Sequence, residues 1–219
     1  MKLDAVDLYV VDGGGDAEIA YYLLWAKTAG MIADYHITSE VNPGADVLKN
    51  IGIEQYVTQP QFIISSDDLV YPPGWATLLM DNYHRLNSGP GKYTMCACST
   101  EEIHFDHKNI PEIADGNAYR SINGVMFMEV GFSMVAGAVM DTAAVKRVGG
   151  FPVYGKSGAG DVAISRRLKQ LGYMLGYFRE PICKHIGKDK VIDYQEYSAA
   201  FRIDEDEWFW KAAKDEWKP

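Results

Sequence analysis

Two adjacent carboxylates, Asp67 and Asp68, close the run Phe62-Ile63-Ile64-Ser65-Ser66-Asp67-Asp68 and precede Leu69-Val70-Tyr71-Pro72-Pro73-Gly74-Trp75. The apolar β-type stretch stops at the acids, and the prolines beyond them lack the N–H that a central strand needs. Both acids are therefore expected at the carboxyl edge of a buried strand. In open α/β sheets that edge is where ligands bind. Carboxylates there are costly to desolvate unless a cation shares the site, and a hard divalent ion carrying a diphosphate meets that need. An Asp pair before a turn also serves as an ordinary cap for the next helix, and these residues alone leave both readings open.

A third acid, Asp161, follows the glycine-rich loop Gly155-Lys156-Ser157-Gly158-Ala159-Gly160 and opens a stretch to Leu171 with amphipathic helical spacing, closed by Gly172. A carboxylate so placed either caps its helix or serves a site that the loop reaches. Residues 101–124 are polar, aperiodic and rich in Asn, Asp and His, which reads as a long functional loop. His104 and His107 lie in it without partner ligands at metal spacing and are read as solvated. Cys96 and Cys98 alternate within a strand-like run, and Cys183 makes the count odd. With no second Cys/His pair at zinc spacing, all are read as reduced, mostly buried thiols.

The elements that must position these acids alternate. Val6–Val11 is strand-like and stops at Asp12-Gly13-Gly14-Gly15-Asp16; Ala17–Ala29 has helical spacing and ends at Gly30. A second strand at Tyr35–Thr38, a turn at Asn42-Pro43-Gly44 and a helix from about Ala45 to Tyr56 lead to the Phe62 strand. A helix from Trp75 to Leu86, a strand at Tyr93–Ser99, an apolar strand at Phe132–Met140 and a helix at Thr142–Val148 follow. This alternation predicts an α/β fold with a mostly parallel central sheet flanked by helices on both faces.

Composition bounds the function. The 219 residues, 47% apolar and 23% charged, suit a single domain over 1–219 with one buried core. A formal charge of −9 argues against a nucleic-acid polymer as partner, while a single nucleotide held through a metal remains compatible. No signal-peptide pattern opens the chain, and no apolar run approaches the roughly 18 residues of a membrane span. A cytoplasmic location is expected. Trp208, Phe209 and Trp210 sit among acids in the tail, so a terminal helix packed on the domain or on a partner chain is favoured over peripheral membrane contact.

In order and spacing, these pieces resemble the family 2-like glycosyltransferases of the GT-A fold over nearly the whole chain up to His185. Val10-Val11-Asp12-Gly13-Gly14-Gly15-Asp16 is similar to that family's strand ending in an Asp that contacts the nucleotide base. Asn42-Pro43-Gly44 through Leu48-Lys49-Asn50-Ile51-Gly52 resembles its Asn-x-Gly and Arg-Asn-x-Gly helix, with Lys49 in the basic place. Ser66-Asp67-Asp68 matches the D-x-D motif with Ser in the first acidic position. Gly149-Gly150-Phe151, then Asp161, Arg166-Arg167-Leu168 and Gly172-Tyr173, follow the family's later motifs, with Gly160 where a Glu is usual.

The resemblance implies a metal-dependent transferase that takes a sugar from a nucleotide-diphosphate donor to a glycan or lipid-linked acceptor. It assigns Asp68 and His185 to Mn²⁺ or Mg²⁺, and Asp12, Lys49, Asp67 and Gly137 to the donor. Asp161 becomes the base. It makes 1–100 the donor-binding half, 101–185 the acceptor half and 186–219 a helical tail. Family members usually begin with a further strand and helix, so here either that unit is missing or the Val6 strand takes its place. A binding module without catalysis is therefore an alternative, and so is a retaining transferase. A nucleotidyltransferase is disfavoured, because Gly13-Gly14-Gly15 has no nearby Arg or Lys.

Overall fold

Local chemistry starts and stops most elements. In the computed structural model, which describes residues 6–100, 119–133, 135, 137–154, 160–186 and 217–218, strand β1 (Tyr9–Asp12) ends at the glycine loop. Asp16 then accepts a hydrogen bond from the Glu18 amide at 2.8 Å and caps helix α1 (Ala17–Thr28). Beyond it Gly30 takes a φ of +69°, the left-handed conformation that terminates helices. Strand β2 (Asp34–Ile37) pairs parallel with β1, Asp12 facing Ile37. Helix α2 (Ala45–Tyr56), strand β3 (Gln61–Ile64), the short β4 (Leu69–Val70), helix α3 (Trp75–Leu86) and strand β5 (Tyr93–Thr100) follow, and α2 and α3 occupy the spans their spacing predicts.

The second half departs from expectation. Strand β6 (Arg120–Ile122) lies within the stretch that the polar composition reads as loop, and it forms an antiparallel hairpin with β7 (Val125–Glu129) just beyond it. Its turn is Asn123-Gly124, with φ of +51° and +76°, a two-residue turn of the hand that suits a hairpin. The apolar run Phe132–Met140 contributes only its end to strand β8 (Ala138–Asp141). Helix α4 (Thr142–Arg147) is capped by Asp141, which accepts from the Ala144 amide at 2.7 Å. Helix α5 (Gly160–Gln170) and the long β9 (Met174–His185) complete the described fold. His104, His107, residues 155–159 and the tail tryptophans 208 and 210 lie outside the described residues.

The sheet itself is a correction. Seven strands form it in the order β3-β8-β5-β9-β7-β6 with β4 on the end of β9, and β1–β2 stand as a separate pair. Only β1–β2 and β5–β9 pair parallel; β3–β8, β5–β8, β4–β9, β7–β9 and β6–β7 are antiparallel. The expected mostly parallel sheet is thus mixed. Its parallel character was inferred from alternation with helices, and β8 and the β6–β7 hairpin enter the sheet antiparallel, in the stretch where that alternation lapses.

Both faces are nevertheless covered. On one, Ile53 of α2, Val145 of α4, and Ile164 and Leu168 of α5 pack with Met95, Met128 and Met140 of the sheet. On the other, Leu79, Tyr83 and Leu86 of α3 cover Cys96, Phe127 and Phe178. All eight residues of β5 are buried, which marks it as the centre. Cys96, Cys98 and Cys183 are free buried thiols, as read. Helix α2 also joins the separate pair to the rest: Tyr56 stacks on Tyr9 at 4.6 Å, and Gly52 rides against Val11.

Where β7 meets β9, Gly176 faces Glu129, and a Cβ on Gly176 would lie 2.0 Å from the Met128 carbonyl oxygen. The obstructing atom is backbone and cannot rotate away. Gly176→Ala is expected to destabilise the fold by about 3 kcal/mol in urea unfolding, whereas a loss under about 1 kcal/mol would show that the two strands separate readily.

Candidate functional site

The Asp67-Asp68 turn lies where its residues predict, at the carboxyl end of β3. Ser66 Oγ donates to Asp68 Oδ1 at 2.6 Å, and the Ile186 amide donates to the Asp68 carbonyl at 2.9 Å. Strand β4 pairs with the last residues of β9, placing Leu69 opposite His185 and Val70 opposite Lys184. The backbone therefore brings His185, which ends the last strand rather than following it, to within one residue of Asp68 in register. Asp67 is exposed and Asp68 half-buried.

Tyr71 braces this turn. Its ring stacks on Trp75 at 3.8 Å and its hydroxyl hydrogen-bonds Ser65 Oγ. Burial pushes that hydroxyl's pKa well above the usual tyrosine range. Gly137, with φ +58°, backs onto the same ring: a Cβ there would lie 2.7 Å from the Tyr71 hydroxyl. The place of Gly137 is thus beside the acids through Tyr71, with its carbonyl accepting from the Cys98 amide at 3.2 Å.

Among the described residues no three His, Cys, Asp or Glu side chains gather as a metal cage. A magnesium-type site needs none, since such ions are held by one or two carboxylates with substrate phosphates and water filling the other positions. Asp67 and Asp68 are oxygen donors of that kind, and the β4–β9 pairing brings the backbone of His185 beside their turn. A pair of carboxylates suits Mn²⁺ or Mg²⁺.

At β1, Asp12 accepts from the Gly14 amide at 2.8 Å and shapes the glycine loop. Gly14 has φ +77°, and a Cβ on it would lie 2.6 Å from the Thr38 carbonyl oxygen, so only glycine passes here. Asp12 is half-buried at the carboxyl end of β1.

The third cluster is carried by α2 and α5. Lys49 Nζ lies 3.0 Å from Asp46 Oδ1 and 3.4 Å from Asp161 Oδ1, and 4.9 Å above the Phe151 ring. Lys49, read from sequence as a donor contact, is thus engaged by the proposed base. Burial pulls its ammonium pKa down, but the Asp161 and Asp46 carboxylates outweigh that and hold it above the usual lysine range. Asp46 is fully buried, and burial lifts its carboxyl above the usual carboxylate range, with Lys49 opposing. Next to Lys49, Asn50 makes a two-way clasp on Phe151: its Nδ2 donates to the Phe151 carbonyl and its Oδ1 accepts the Phe151 amide, both at 2.8 Å. Asp46 was missed by the sequence reading. Its signal was an acid three residues before a lysine on one helix, a pair that faces the same side.

No family model and no curated protein sequence matches the chain. Solved structures do. The mannosyltransferase PcManGT from Pyrobaculum calidifontis, in complex with GDP-Man and Mn²⁺, superposes over 99% of this chain and 57% of its own, with a TM-score of 0.65 at 18% identity. GalNAc-T7 with UDP, GalNAc and Mn²⁺ superposes over 82% of this chain and 37% of its own, with a TM-score of 0.53 at 11% identity. The chain therefore spans little more than half of the first protein and over a third of the second. What it shares with these glycosyltransferases is the GT-A fold that its motifs led one to expect.

Proposed function

We propose that this chain is a metal-dependent glycosyltransferase that moves a sugar from a nucleotide-diphosphate donor of the UDP or GDP kind to a hydroxyl of a glycan or lipid-linked acceptor. The observation that supports the reading is the β4–β9 pairing, which brings the backbone of His185, far away in sequence, to the turn that carries Asp67 and Asp68. Two solved proteins of the same fold, PcManGT and GalNAc-T7, hold a nucleotide and Mn²⁺. No helix among the described residues is long and apolar enough to cross a membrane.

A divalent ion, when bound, offsets the charge that grows on the departing diphosphate. Asp68 would hold that ion with His185, and Asp67 would meet the donor ribose or support the ligand shell. Asp12, at the end of β1, would face the base of the nucleotide, and Gly137 would line the donor side through Tyr71. Asp161 would accept the proton of an acceptor hydroxyl whose oxygen bonds the anomeric carbon as the bond to the diphosphate oxygen breaks on the opposite face, a single displacement that inverts that carbon. A carboxylate is a weak base, and it suffices because the hydroxyl becomes acidic only as the transition state forms. Lys49, held between two carboxylates, would keep Asp161 oriented.

Two outcomes test this assignment. Asp161→Asn is expected to lower kcat by about 10²-fold or more while leaving donor affinity unchanged, measured as nucleoside diphosphate release from UDP- and GDP-sugars with Mn²⁺. Equal turnover by wild type and variant would exclude the base role, and metal-dependent binding without any turnover would establish a binding module instead. Asp68→Ala is expected to abolish the Mn²⁺ dependence of donor binding in calorimetric titration. Retention of that dependence would move the metal away from the β3 edge.

A further inference from the structure

Asp46 has no part in the donor or metal assignments, yet it is the most completely buried carboxylate among the described residues, with no solvent exposure. A buried carboxylate is stable only when a cation and hydrogen-bond donors answer it. Here each oxygen has a separate partner: Oδ1 takes Lys49 Nζ at 3.0 Å, and Oδ2 takes the Gly160 amide at 2.9 Å. Gly160 is the first residue of α5, so its amide is one of the donors that a helix start leaves unpaired. Asp46 thus caps α5 from another helix, and through Lys49 it also reaches the side chain of the next residue, Asp161.

The fit is close enough to dictate the residue at 160. A Cβ built there would lie 2.5 Å from the Asp46 Cγ and Oδ1 and 2.6 Å from Oδ2. The Asp46 carboxylate fills the space that a side chain on residue 160 would enter.

We infer that Asp46 is the positioning residue for Asp161, fixing its main chain through the Gly160 amide and its carboxylate through Lys49. The inference rests on the proposed role of Asp161 as base. Lys49 engages Oδ1 of Asp161, and in the proposed role Oδ2 would be the oxygen that takes the acceptor proton. Because Lys49 answers two acids at once, neither carboxylate has the cation to itself. Removing the charge at 46 leaves Lys49 to Asp161 alone, tightening its hold on the oxygen and shifting the carboxylate toward α2.

The test follows nucleoside diphosphate release from UDP- and GDP-sugars with Mn²⁺ in Asp46→Asn, Asp46→Ala, Asp161→Asn and the relocated pair Asp46→Ala/Gly160→Asp. The Asn variant keeps an acceptor for the Gly160 amide and removes the charge, so it is expected to fold, with kcat about 100-fold lower and donor KM unchanged. The relocated pair returns a carboxylate to the same space from the other helix and is expected to recover kcat to within about tenfold of wild type. Wild-type kcat in the Asn variant, or a relocated pair that regains its melting temperature without regaining kcat, would overturn the inference. If Asp161→Asn loses turnover while the Asp46 variants do not, only this inference fails. If Asp161→Asn turns over normally, or the wild type releases nothing from any donor, the base assignment fails and the role of Asp46 falls with it.

Discussion

One ammonium answering two carboxylates is the constraint from which the rest of this architecture follows. Lys49 cannot leave Asp46 without stranding a buried charge, and it cannot leave Asp161 without releasing that side chain from α2. Breaking such a pair by removing one partner typically costs about 3–5 kcal/mol at fully buried sites, and somewhat less where, as here, Lys49 and Asp161 retain some exposure. The ion pairs therefore set where α5 begins relative to α2. Asn50 repeats the connection one residue later by gripping both backbone groups of Phe151. Helix α2 is fastened to the second half of the fold by charge, by hydrogen bonds and by Ile53 in the core.

That fastening separates two tasks. The acids after β3 sit at a sheet edge whose shape is set by strand pairing, with Tyr71 and Trp75 stacked behind them. Asp67 is exposed there, and an ion shared with a substrate phosphate, as proposed, needs only one or two such carboxylates. Asp161, by contrast, stands on a helix start pinned from α2, with its geometry fixed before any substrate arrives. Preorganisation of this kind is what the base role proposed for Asp161 requires.

Much of this was legible in the sequence because it depended on short-range chemistry. The helix spans came from spacing and from Gly30 and Gly172, and the position of Asp67 and Asp68 came from an apolar strand that ends in acids and prolines. The sheet was misread where partners are chosen at long range. Nothing local tells β8 to lie between β3 and β5, and the Asn123-Gly124 turn was hidden by the polar residues around it. Asp46 was overlooked for a related reason. An Asp in the first turn of a helix reads as a favourable dipole partner, and only the packing of α5 turns it into a buried carboxylate. Gly160, a departure from the motif when seen alone, is explained by the carboxylate that occupies its side-chain space.

The most direct measurement is a thermal-unfolding series on the wild-type chain with UDP and GDP, each with and without Mn²⁺. A ligand that binds only the native state adds about 2.7 kcal/mol at ~100 times its dissociation constant. Stabilisation of that order by one of the two nucleotides, present only when Mn²⁺ is added, is the predicted result. An unfolding temperature indifferent to both nucleotides in the presence of Mn²⁺ would contradict a metal-dependent nucleotide-sugar site at the β3 edge.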